Sequence, residues 1–176
     1  EVNDGVFVPF KKVSPGAMYR VAYDTADTGG ITTLQFTKWP DPAGVGIASA
    51  IRACAATVNR VQVGQCELGD KGASVLSAAL KASSTLQELE LVSNRIGAVG
   101  AQSLANTIQF NRALTSVNLL KNDLGDGTAA VVAAAKQHGN IKTLCGIEEG
   151  KTEVNLAHKY LIAPDAVLLS FDLEFN

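Results

Sequence analysis

Charge is scarce in this 176-residue chain. Only 18% of its residues are Asp, Glu, Lys or Arg against 47% apolar, and the formal net charge is -2. That balance excludes the strongly basic face that nucleic acid requires. It also excludes a disordered chain, which cannot bury enough apolar surface to fold. The apolar residues never gather into a run near the ~20 that a membrane helix needs, so no membrane insertion is expected. Cysteine is rare: Cys54, Cys66 and Cys145 are three, an odd count without metal or disulfide spacing. A glycosylation sequon and a signal peptide are also lacking. These lacks favour a reduced intracellular setting, cytoplasmic or organellar, with no cofactor and no metal. The length is enough for one domain with a real core. The sequence opens on Glu1 rather than Met, which reads as processing or as excision from something longer.

What the chain does have is a repeat. In LQELELVSNRIGAVGAQSLANTIQFNRA, Leu86, Leu89, Leu91 and Asn94 stand at the first, fourth, sixth and ninth places, with Ile96 and Gly97 after them. Shifted back by 28 residues, the same places hold Val58, Val61, Val63, Cys66, Leu68 and Gly69. Shifted forward by 28, they hold Leu114, Val117, Leu119, Asn122, Leu124 and Gly125. A looser copy lies upstream, with Ile31, Leu34 and Phe36, and with Trp39 where the others have Asn or Cys.

The alternating opening of each copy predicts a short strand with one buried face. The tail, such as GASVLSAALKA, predicts a helix with an apolar stripe. One strand and one helix cannot bury their own apolar faces, but stacked copies can. Helices are ~10 Å across and strands lie ~4.8 Å apart, so the stack bends with its strands inside. Asn94 and Asn122 fall where the chain turns inward, and a buried amide there bonds orphaned backbone groups. Cys66 does part of this, and Trp39 marks an atypical terminal copy.

The pattern LxxLxLxxN/C-x-Leu/Ile-Gly at this period resembles the leucine-rich repeat, in its ribonuclease-inhibitor-like subtype, over residues 31 to 141. The resemblance implies an α/β solenoid with parallel strands on the concave side and helices on the convex side. Repeats are expected near 31–57, 58–85, 86–113 and 114–141. After Asn140 the register breaks. IKTLCGI reads as the next strand, yet Val154, Leu156, Leu161 and Leu169 lie 65 places after Leu89, Leu91, Ile96 and Leu104. A fifth repeat is therefore expected over 151–176, with 142–150, including CGIEEG, as a hairpin-like insertion. The sequence then stops two residues short of a sixth repeat, as a fragment would. The same C-terminal stretch resembles protist and algal leucine-rich-repeat proteins related to nucleotide-binding immune sensors. Residues 1–30 do not fit the repeat. VFVPF and MYRVAY read as short strands around SPG, either an N-terminal cap or the tail of a preceding domain.

Catalytic chemistry finds no support. His138, in KQHGN, reads as a cation at a helix C-terminus with Gly139 as the cap. His158 falls on the inner face and reads as solvated surface. No cysteine has a histidine near it in the repeat frame, so a thiol nucleophile lacks its base. Cys54 reads as helix core, Cys66 as turn and Cys145 as strand. NDLGDG lacks the alternating acids and terminal Glu of a calcium loop; Asp126 and Asp70 read instead as helix N-caps. PAGVG has no GK[ST] and is no phosphate loop. Ran GTPase-activating proteins share the repeat subtype, but Arg95 in SNRIG is all that resembles their polar loops.

That leaves surface. The residues between the buried strand positions are expected on the concave side: Thr33, Gln35, Thr37 and Lys38; Arg60, Gln62, Gly64 and Gln65; Glu88, Glu90, Val92 and Ser93; Ser116, Asn118, Leu120 and Lys121. Lys38, Arg60, Gln62, Glu88, Glu90, Val92, Asn118, Leu120 and Lys121 are the expected partner-binding residues. Arg60, Glu88, Glu90 and Lys121 make a charge sequence across the sheet, and Val92 and Leu120 are expected as exposed apolar contacts. Repeat solenoids use this face for protein partners, so a non-catalytic scaffold binding a protein is expected. A structural subunit of a cytoskeletal, ciliary or organellar assembly stays open, as do the ligand-sensing part of a nucleotide-binding receptor and, remotely, a GTPase-activating fragment.

Overall fold

In the computed structural model, residues 20–25, 31–39, 44–147, 150–151, 153–156 and 160–175 are described. One five-stranded sheet runs in sequence order: β1 (Arg20–Thr25), β2 (Ile31–Thr37), β3 (Arg60–Gly64), β4 (Glu88–Glu90) and β5 (Ser116–Asn118). Helices α1 (Val45–Ala53), α2 (Gly69–Leu80), α3 (Ala98–Phe110) and α4 (Gly127–His138) follow β2 to β5 in turn, and α5 (Ala163–Phe175) comes last. β2 to β5 are parallel, with Gln35, Gln62, Glu90 and Asn118 on neighbouring strands in register. β1 is antiparallel to β2 and covers its outer edge. It overlaps the strand expected at MYRVAY; VFVPF lies outside the described residues.

The alternation dictates the core. Leu34, Val61, Leu89, Val117 and Leu144 form one buried column, and Phe36, Val63, Leu91 and Leu119 a second. The helices close the other side with Ile51, Leu76, Leu80, Leu104, Ile108 and Val131. Close helix stacking needs small residues at the contacts. A Cβ on Gly100 would lie 2.8 Å from an Asp70 carboxylate oxygen and 3.0 Å from the Ala73 Cβ, and one on Gly127 would lie 2.7 Å from the Ala98 carbonyl oxygen.

The fifth rung corrects the expected register. Thr143 and Cys145 bridge to Ser116 and Asn118, and Leu144 fills the core column, so IKTLCGI supplies the rung and is no insertion. Residues 153–156 form no strand, and Val154 is exposed. The offset of 65 aligned apolar residues of a longer strand-to-helix connection, whereas backbone pairing next to β5 was already met by the earlier apolar triplet. The expected helix does form at α5.

After each of β2 to β5 the chain turns inward through a left-handed residue that is not glycine. Lys38, Gln65, Ser93 and Lys121 have φ of 53°, 56°, 57° and 61°. Such a conformation costs ~1–2 kcal/mol per residue. The neighbouring rung imposes it: the amides of Lys38, Gln65 and Ser93 donate to the carbonyls of Gly64, Val92 and Leu120 at 2.9, 3.2 and 3.2 Å.

Candidate protein-binding face

Two hydrogen-bonded ladders hold the face rigid. In the first, the Trp39 amide donates to Cys66 Sγ at 3.3 Å, and the Cys66 amide donates to Asn94 Oδ1 at 2.9 Å. The Asn94 and Ile96 amides then donate to Asn122 Oδ1 at 2.9 and 3.1 Å. The amide nitrogens work backwards: Asn94 Nδ2 donates to Val63 O at 2.6 Å and Asn122 Nδ2 to Leu91 O at 2.8 Å. Asn94 and Asn122 are essentially without exposure. Cys66, Asn94 and Asn122 therefore occupy the inward turn as the repeat spacing predicted, and Trp39 joins through its backbone while its ring packs edge-on against Phe36.

The second ladder, where helices return to strands, was not read from the sequence. Ser83 Oγ donates to Ala55 O at 3.0 Å, and Asn111 Nδ2 donates to Leu80 O and Ser83 O at 3.0 and 3.1 Å. His138 Nε2 meets Asn111 O at 2.9 Å, while the Asn140 amide donates to Nδ1 at 3.3 Å. His138 stands in the last turn of α4 with Gly139 as the cap at φ 77°, as expected, but its ring is buried against the Asn111 carbonyl. The signal was present in the recurrence of Ser83 and Asn111 at the repeat spacing.

The expected helix starts are met in part. Asp126 sits at the N-cap of α4 without a side-chain cap bond. Asp70 lies in the first turn of α2 and caps the next helix instead, its Oδ1 accepting the Gly97 and Gly100 amides at 2.7 and 2.8 Å.

At the C-terminal end, α5 supplies two fully buried carboxylates that sequence reasoning missed. Asp165 accepts the Lys121 amide at 2.8 Å and the Ile162 amide at 3.0 Å. Asp172 accepts the Leu144 amide at 2.6 Å, the Cys145 amide at 3.2 Å and the Thr143 hydroxyl. Burial pushes the Asp172 carboxyl above the usual carboxylate range, opposed by these hydrogen bonds. Burial, and then the charges of Asp172 and Asp165, push the Cys145 thiol well above its ordinary value. Burial also raises Cys54. All three cysteines are buried. The overlooked signal was a spacing of seven that puts both acids on the same helix face as Leu168 and Phe171.

The concave face carries a hollow of about 430 Å³ over β3, β4, β5 and the 142–147 segment. Of the expected binding residues, Arg60, Gln62, Glu88, Glu90 and Asn118 line it together. Lys38, Val92, Leu120 and Lys121 lie outside its lining. Val61 and Leu89 on the floor and Thr115, Ser116, Lys142, Thr143, Gly146 and Ile147 on the walls complete the lining. Lys142, Gly146 and Ile147 were missed because the fifth rung was placed too late. Arg60 pairs with Glu88 at 2.5 Å, and Gln62 Nε2 donates to Glu90 at 2.9 Å. Val92 and Leu120 are half-buried rather than exposed, and Leu120 packs against the core. The side chain has a place in the stack, so it is not a free apolar contact. Arg95 pairs with Glu67 at 3.0 Å, away from the hollow. His158 lies outside the described residues. Among the described residues, no cluster of His, Cys, Asp or Glu is placed to hold a metal, and no helix is long and apolar enough to cross a membrane.

Residues 55–77 and 82–105 match a family model described as Leucine Rich repeat. Solved structures of similar shape include the tropomodulin C-terminal domain from Caenorhabditis elegans, with a TM-score of 0.58 at 13% identity, covering 81% of this chain and 82% of that one. They also include the region titled leiomodin-1 actin-binding site 2, with a TM-score of 0.53 at 18% identity, covering 74% of this chain and 70% of that one. No curated protein matches the sequence. The repeat matches and the shared shape establish the fold as an α/β leucine-rich-repeat solenoid.

Proposed function

We propose that this leucine-rich-repeat solenoid is a non-catalytic scaffold that binds a protein partner through its concave face, in the cytoplasm. The observation that carries this is the hollow itself, where polar and charged side chains from three strands converge on a surface that two ladders hold in place. A rigid face loses little conformational freedom on binding. That one structural neighbour is titled an actin-binding site supports a protein partner without naming one here. The 28-residue spacing with helices of 12 and 13 residues on the outer side supports the ribonuclease-inhibitor-like subtype.

Affinity capture from a lysate of the source organism, with mass-spectrometric identification, tests the reading. The control chain carries Arg60→Glu with Glu88→Lys, which keeps the pair with its sense reversed, together with Glu90→Lys. Leu120 is left alone because it supports the core. A partner lost in the control places binding on the concave face, whereas a partner kept in both overturns the assignment.

A further inference from the structure

The charges inside the hollow do not cancel locally. Its walls carry Arg60, Glu88, Glu90 and Lys142. Arg60 is committed to Glu88 at 2.5 Å, and Lys142 is not free either. Among the described residues, Glu90 meets the Gln62 amide alone, which donates to Oε2 at 2.9 Å. An amide dipole fills one acceptor position and brings no full positive charge, and no hydrogen bond to the second oxygen, Oε1, is made among the described residues. Glu90 is half-buried and central, on the middle of the strands that form the hollow floor.

We propose that the hollow receives a Lys or Arg side chain from an extended segment of the protein partner, with Glu90 as its counter-ion. This rests on the reading that the concave face binds a protein. Three partner chemistries compare as follows. An acidic segment places like charge beside Glu90 in a site partly shielded from water, where repulsion is stronger than in bulk solvent. An apolar segment strips water from the carboxylate and gives nothing back, which is costly. A cationic group replaces the lost water with a charge-assisted hydrogen bond to Oε1, the strong kind. Ile147, half-buried on the wall, offers apolar surface to the methylene stem of such a side chain. The hollow lies at the small end of ligand pockets, which run from ~300 to 1,000 Å³, so it suits a long side chain rather than a folded element.

The test is a chemical-shift titration of the full ¹⁵N-labelled chain with three probes: Nα-acetyl-arginine amide, Nα-acetyl-citrulline amide, which keeps the shape without the charge, and Nα-acetyl-glutamate amide. The arginine probe alone is expected to shift amides of β4, β5 and residues 142–147. Glu90→Gln keeps the acceptor for Gln62 and is expected to weaken this at least tenfold, with amides away from β4 unmoved. Arg60→Gln releases Glu88 and is expected to tighten it severalfold. Equal response to citrulline, a response unchanged in Glu90→Gln, or no response to arginine overturns the proposal. Loss of partner capture in the concave control without arginine binding would sink this inference alone. Arginine binding with capture intact would instead sink the assignment of the partner to this face.

Discussion

The interior rungs and the last rung of the stack solve one problem with different chemistry. In the interior, the left-handed turn residue donates its amide to a backbone carbonyl of the next rung, as Ser93 does to Leu120 at 3.2 Å. Lys121 finds no such carbonyl and donates to the Asp165 carboxylate at 2.8 Å. In the interior, the strand-end amides are taken by asparagine, as Asn94 is by Asn122 at 2.9 Å. At the end, Asp172 takes Leu144 and Cys145. A neutral amide both donates and accepts, so it links rungs on either side. An ionised carboxylate only accepts, so it can terminate a ladder but not continue one. At the fifth rung the side chain that meets these amides has no donor to pass on.

Breaking the interior ladder should have the largest effect. Asn122→Ala deprives the buried amides of Asn94 and Ile96 of their acceptor, and a loss of ~3 kcal/mol in urea-unfolding free energy is expected, at the upper end for unsatisfied buried groups. Asn94→Ala should cost ~2 kcal/mol, because fewer amides depend on it. Exposed Asn106→Ala should stay within ~0.5 kcal/mol. Equal, small losses at all three would refute the ladder.

The terminal rung comes next. Asp172→Asn keeps the oxygen for Leu144 but turns an amide donor toward the Cys145 donor or the Thr143 hydroxyl. A loss of ~1 kcal/mol is expected at neutral pH, since removing a buried charge offsets part of the mismatch. The same variant sharpens the contrast through pH. Burial raises the carboxyl of Asp172 in the folded state above its unfolded value, so folding favours the protonated form. Its contribution is fully present below the ordinary carboxylate pKa and is lost as pH rises through the raised value. Unfolding free energies measured at several pH values across that window should fall less steeply in Asp172→Asn. A slope identical to that of the unaltered chain would show that Asp172 is not the group responsible. The smallest effect belongs to the outer surface: Lys136 bonds Glu174 at 2.6 Å with both side chains about half exposed. Lys136→Ala should therefore move thermal unfolding by less than ~0.5 kcal/mol, and a larger drop would mean that this contact, rather than the buried acids, secures α5.

What was legible in the sequence follows the same division. The interior rungs were plain because position and residue type repeat together: Leu89 with Val61 and Val117, Asn94 with Asn122. The strand faces came with them, since alternation decides which side is buried, and five of the nine expected binding residues do line one hollow. The end was misread because its chemistry does not repeat. Leu144 continues the core column, but no asparagine follows it five residues on, and the next stretch with the repeat's apolar spacing begins at Val154. Nothing in the repeat pattern marks Asp165 and Asp172, and only the packing of α5 shows what they face. The burial of the His138 ring was not legible because a helix-end histidine looks the same in sequence whether its ring meets water or the Asn111 carbonyl.

The direction of these bonds bears on how the chain is made. Apart from Asp70, the side chains that complete a rung come from residues synthesised later: Cys66 for Trp39, Asn94 for Cys66, Asn122 for Asn94 and Asp172 for Leu144. A growing chain emerging from the ribosome at ~5–20 residues per second therefore holds each rung unfinished until the following repeat has left the exit tunnel. Each such rung gains its side-chain partners one repeat after its own synthesis, and the rung at Leu144 gains its partner when α5 arrives.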